Sequence, residues 1–141
     1  MSKSAEPIEA LFAAAKAAQA NAYAPYSRFK VGAALRTPGG AIFSGCNVEN
    51  AAYPQGACAE AGAIAAFVGA GRRVIAEMLV IGDGEGLCTP CGGCRQRIRE
   101  FAAAATPIHI AGLSGVRASF TLDDLLPHSF GPENLDIGKP A

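Results

Sequence analysis

The stretch Pro90-Cys91-Gly92-Gly93-Cys94 constrains this chain more than any other. Proline suits the first position of a helix, where its missing N–H has no partner to lose. Cysteines three residues apart then share one helix face, with sulfurs close enough to grip a single ion. The helix start adds positive potential and free N–H donors, which favour thiolates. Taken alone, such a pair fits two packed thiols or a redox couple as well. Cys58-Ala59-Glu60 narrows the choice, because it falls at another expected helix start. Cys58 can bring a third sulfur, and Glu60 a carboxylate two residues on. Three protein ligands with a fourth position open are the arrangement of catalytic zinc, and a carboxylate alongside completes a hydrolytic set. In isolation, Glu60 reads equally well as an acid complementing the helix dipole. The cysteines number five, at 46, 58, 88, 91 and 94. An odd count with three crowded together suits a metal or catalytic site better than a disulfide framework.

The rest of the chain alternates helical and extended patterns. Ile8 to Tyr23 reads as a helix with Pro7 at its start and an apolar stripe through Leu11, Ala14, Ala15 and Ala18. Phe29 to Arg36 alternates like a strand, Thr37-Pro-Gly-Gly40 signals a turn, and Ala41 to Val48 returns as the second arm of a hairpin. Cys58 to Val68 is a second expected helix. The continuous apolar run Met78 to Ile81 suits a strand covered on both faces. Pro90 to Ala104 is a third helix, followed by a strand at Ile108 to Ile110, a weak strand at Ala118 to Phe120 and a short helix from Leu122 to Leu126. This order predicts an α/β fold, a three-layer α/β/α arrangement with a mixed five-stranded sheet. Residues 1–141 read as one domain, with a partly ordered, Pro- and Gly-rich tail from about 131.

Composition excludes several classes of function. Twelve Lys and Arg against twelve Asp and Glu give a formal net charge of zero, where a polynucleotide binder shows a basic stripe. Arg95, Arg97 and Arg99 are no such stripe, since steps of two residues carry them to different helix faces. The apolar stretch from Ala10 to Ala20 is broken by Lys16 and Gln19 and is far short of a membrane span. Lys3 with Glu6 and Glu9 is a poor secretory leader, so the expectation is a cytoplasmic protein. Only 17% of residues are charged and 50% are hydrophobic, which points to apolar surface covered by another subunit.

Together, Cys-Ala-Glu and Pro-Cys-Gly-Gly-Cys resemble the zinc nucleobase deaminase signature in its all-cysteine form. The chain resembles cytidine deaminase of the small, homotetrameric type. Further segments carry the likeness: Ala24-Pro-Tyr-Ser-Arg-Phe-Lys-Val-Gly-Ala-Ala34, Gly45-Cys-Asn-Val-Glu-Asn-Ala-Ala-Tyr-Pro54, Thr89-Pro-Cys-Gly-Gly-Cys-Arg-Gln96 and Leu126-Pro-His-Ser-Phe-Gly-Pro132. The resemblance implies a zinc ion (Zn2+) in each subunit on Cys58, Cys91 and Cys94, with Glu60 as proton shuttle. It implies Asn47 and Glu49 on the ribose, Phe29 near the base, and the backbones of Ala59 and Thr89 on the pyrimidine edge. Phe130 and Tyr53 would reach into a neighbour's site in a tetramer. The implied reaction is hydrolytic deamination of cytidine, and of deoxycytidine, for pyrimidine salvage, with no nucleic-acid or membrane partner.

The pattern also departs from expectation. Cys88 makes a second, overlapping CxxC with Cys91; as a fourth ligand it would close the shell into a structural, non-catalytic zinc module. Thr89 precedes a proline and favours an extended backbone, which carries Cys88 away from the helix start. An arginine commonly follows the catalytic glutamate in this family, but Ala61 stands there. Three thiolates around Zn2+ sum to a negative charge, and Arg95, directly after Cys94, is the expected compensator. A deaminase for another aminopyrimidine nucleoside, such as blasticidin S, is the alternative enzyme. Cys46 and His109 read as core residues.

Overall fold

Side chains alternate across the strands, and that alternation sorts the apolar residues into two cores. The computed structural model describes residues 5–135. Strands Val31–Arg36 (β1), Ile42–Cys46 (β2), Glu77–Gly82 (β3), Pro107–Gly112 (β4) and Gly115–Thr121 (β5) form one sheet in the order β2-β1-β3-β4-β5. β3 and β4 run parallel, and the other neighbours are antiparallel. The helices are Ala5–Ala20 (α1), Ala59–Gly69 (α2), Gly92–Arg99 (α3), Leu122–Leu125 (α4) and Pro132–Leu135 (α5). Ala33, Leu35, Met78, Val80, Ile108 and Ile110 face α2 and α3. Their sequence neighbours Ala34, Leu79, Ile81 and Ala111 face the other way, toward Leu11 and Ala15 of α1. The mixed five-stranded α/β sheet is therefore as expected.

Two glycines set the helix heights. A Cβ on Gly32 of β1 would lie 2.1 Å from the Ala15 carbonyl oxygen of α1. A Cβ on Gly45 of β2 would lie 2.5 Å from the Ala63 nitrogen of α2. No side chain fits either gap, so these positions seat one helix on each face directly against the sheet. Phe67 then anchors α2 by edge-to-face contacts with Phe43 and Phe101, at centroid distances of 6.2 and 5.4 Å.

Several boundaries differ from the sequence pattern. The third helix ends at Arg99 and not at Ala104, because Ala102 pairs with Ile75 and the Ile75 N–H donates to the Phe101 carbonyl. The stretch around Ala118–Phe120 belongs to a full strand from Gly115, entered by a tight turn at Leu113 and Ser114 with Gly115 at φ 138°. Phe29 lies outside β1. Of the expected loose tail, Pro132–Leu135 forms a helical turn, and residues 136–141 lie outside the described residues. His109 is buried and satisfied as expected, with Nε2 on Glu77 and Nδ1 on Ser119, each at 2.7 Å. No described helix is long and apolar enough to cross a membrane.

Candidate active site

Parallel pairing of β3 with β4 requires a crossover, and α3 lies in it. Its start therefore falls just beyond the C-terminal end of β3, beside the start of α2. Cys58 caps α2 and Cys91 caps α3, both with extended backbone, while Cys94 lies one turn further along α3 and is fully buried. The sulfurs of Cys58, Cys91 and Cys94 all lie within 4.8 Å of one another, and Cys58 Sγ and Cys91 Sγ are 4.0 Å apart. A tetrahedral zinc with Zn–S near 2.3 Å asks for sulfur spacings of about 3.8 Å, so the donor set fits this ion. Burial, then the charges of Glu60 and Cys58, push the Cys94 thiol up. Burial raises Cys58 as well, whereas the Cys94 backbone N–H is the main influence that lowers Cys91.

Cys88 does not join the cluster. Its sulfur lies over Gly82, where a Cβ would come within 2.6 Å of it, so it fills the space left by that glycine. Burial pushes its thiol up to about 11.

Glu60 occupies the first turn of α2 and is only 4% exposed. Burial holds its carboxyl above the usual range, and a hydrogen bond with Cys94 and the charge of Arg97 act against that push. A buried carboxyl whose proton affinity is raised, beside three sulfurs that can hold zinc, is suited to take up and release protons.

A second cluster sits in the loops before β1 and after β2. Asn47 accepts from the Val31 N–H at 2.9 Å and donates to the Phe29 carbonyl at 2.9 Å, fixing the chain that enters β1. Its clamp on either side of Lys30 explains why the strand begins at Val31. The Glu49 carboxylate accepts from the Tyr26 and Ser27 backbone N–H groups at 3.0 and 3.1 Å, and from the Ser27 hydroxyl. The Ser27 hydroxyl and backbone hold this carboxyl below the usual range. The chain reverses there at Arg28, a non-glycine residue at φ 60°. Glu49, Tyr26, Ser27 and Tyr53 line a pocket of about 260 Å3. Phe29 is 40% exposed, with its ring edge against Gly82.

Ala59 is buried at the start of α2, and Thr89 accepts at its hydroxyl from Arg95 at 3.2 Å. Tyr53 is 75% exposed and Phe130 57% exposed. Gln96 donates to the Phe130 carbonyl at 2.8 Å, and Arg99 binds Ser129 and Glu133, so α3 ties the C-terminal segment to itself. This tethering role of Gln96 and Arg99 is not legible in the sequence. A cavity of about 580 Å3 lies beneath this segment, and none of the zinc-site residues line it.

Arg95, expected beside the cysteine sulfurs, donates to oxygens instead. Its guanidinium donates to the Pro90 carbonyl at 2.7 Å, the Leu125 carbonyl at 2.7 Å and the Thr89 hydroxyl. It braces the start of α3 against α4, and its acceptors are oxygens. The guanidinium that meets a cluster sulfur belongs to Arg97, with Nη1 at 3.6 Å from Cys94 Sγ.

Clustered thiols and a buried carboxylate at two helix starts, on one α/β sheet, define a zinc-binding protein of the hydrolase type. Residues 5–110 match the family described as "Cytidine and deoxycytidylate deaminase zinc-binding region". The chain belongs to that family. It is 43% identical to a cytidine deaminase of Sporosarcina psychrophila, over 91% of this chain and 94% of that one. It is 42% identical to a cytidine deaminase of Mycobacterium tuberculosis, over 84% of this chain and 85% of that one. Among solved structures, cytidine deaminase from Burkholderia pseudomallei superposes with a TM-score of 0.81 at 43% identity, covering 92% of this chain and 100% of that one.

Proposed function

We propose that this protein deaminates cytidine, and 2′-deoxycytidine, to the corresponding uridine and ammonia. The observation that carries this reading is the buried Glu60 carboxyl set against Cys94 within the three-cysteine cluster. Cys58, Cys91 and Cys94 would hold zinc, which when bound would supply the Lewis acidity that makes water a nucleophile at neutral pH. Glu60 would take a proton from the attacking water and deliver it to N3 of the base as the C4–O bond forms. From the tetrahedral adduct Glu60 carries a second proton to the amino group, the C4–N bond breaks, and ammonia leaves. One carboxyl serves both transfers because both protons cross the same small volume.

Glu49 and Asn47 bind the sugar. Each retains hydrogen-bonding capacity beyond its contacts within the chain: the carboxylate as acceptor, the amide as both donor and acceptor. A negative Glu49 beside the sugar favours a nucleoside over a nucleotide. Phe29 packs on the base, and the backbones of Ala59 and Thr89 meet the pyrimidine edge. The exposure of Phe130 and Tyr53 supports a homotetramer in which each completes a neighbour's pocket. Five free cysteines fit a cytoplasmic, reducing setting.

Zinc analysis with ultraviolet monitoring of cytidine and blasticidin S, on wild type and Cys88→Ser, tests the reading. The expected result is a single zinc per chain and cytidine turnover in both proteins. Preference for blasticidin S, or loss of zinc in Cys88→Ser, would overturn it.

A further inference from the structure

We propose that Arg97 is the positioning residue that offsets the negative charge of the three-cysteine zinc site, acting through Cys94. This rests on the zinc-deaminase reading and goes beyond it by assigning the countercharge. A zinc ion with three thiolates is a net anion, and Ala61, on the turn that carries Glu60, brings no charge to it. Of the three arginines on α3, Arg95 is directed to oxygens at Pro90, Thr89 and Leu125, and Arg99 to Ser129 and Glu133. Arg97 alone of these three reaches a sulfur, with Nη1 3.6 Å from Cys94 Sγ.

The local sequence is built for that reach. Residues three apart share a helix face, so Arg97 lies over Cys94. Gly93 leaves the path open, because a Cβ there would stand 3.3 Å from Arg97 Nη1. A cationic N–H donor on a thiolate both neutralises charge and fixes the orientation of the sulfur lone pairs. Arg97 is itself exposed, so replacing it removes no core packing.

The test is chelator competition for zinc on wild type, Arg97→Gln and Arg97→Lys, with cobalt-substituted spectra of each. Loss of a partner that supports a metal ligand typically costs about 10- to 100-fold in metal affinity. Arg97→Gln is expected to fall in that range, and its thiolate-to-cobalt charge-transfer band is expected to move to lower energy. Arg97→Lys, which keeps the charge, should recover most of the affinity. Wild-type affinity and an unshifted band in Arg97→Gln would overturn the proposal, as would an equal loss in Arg97→Lys. Wild-type protein that held no zinc or left cytidine unchanged would instead defeat the underlying reading.

Discussion

Glu60 and Glu49 carry the same carboxyl into opposite surroundings. Glu60 sits in the first turn of α2, closed off from water, and burial raises its affinity for a proton. Glu49 sits in an open loop where the Ser27 hydroxyl and backbone amides draw around it and lower that affinity. Environments that push two carboxyls apart in this way assign them different work. One can exchange protons during a reaction, and the other stays charged and accepts hydrogen bonds. Burial and amide donors, not residue type, make the division.

Removing Glu60 should have the largest effect. Glu60→Ala is expected to keep its zinc and lose kcat by about 10²- to 10⁴-fold, the usual worth of a positioned acid–base group. Metal analysis beside steady-state kinetics checks it, and retained turnover would remove Glu60 from the chemistry. Glu49→Gln should act on binding instead. Losing the charged acceptor should raise KM for cytidine by about 10- to 100-fold with kcat little changed.

The pH profile sharpens the same contrast by a smaller amount. Because the Glu60 carboxyl lies above the usual 4.5, lowering the pH protonates it early and kcat should fall with a midpoint above that value. Glu49 lies below 4.5, so KM should hold constant across the same interval. Parallel rise of KM and fall of kcat, at full zinc occupancy, would contradict the assignment.

Local patterns made the site's skeleton readable. Both helix starts, the cysteine spacing and Glu60 follow from contiguous residues whose helical geometry is fixed. The alternation of Val31, Ala33 and Leu35 likewise announced β1. What escaped depends on contacts distant in sequence. The alanines after Phe101 favour helix, yet Ala102 pairs with Ile75 and the chain leaves the helix early. Ser27 became part of the Glu49 cradle only because the loops before β1 and after β2 meet. The arginines show a further limit. Arg95 drew notice by adjacency to Cys94, although one residue turns about 100° around a helix, and the partner at three residues, Arg97, faces the sulfur. Cys88 is equally close in sequence to Cys91, but its sulfur turns to Gly82.

The most direct trial of the division of labour pairs Glu49→Gln and Glu60→Gln against cytidine and 2′,3′-dideoxycytidine, which lacks the ring hydroxyls. Values of kcat/KM for each combination form a complete cycle. Glu60→Gln should depress both substrates by the same large factor, while Glu49→Gln should depress cytidine and leave the dideoxy compound near its wild-type value. An equal loss on both substrates in Glu49→Gln would contradict the account.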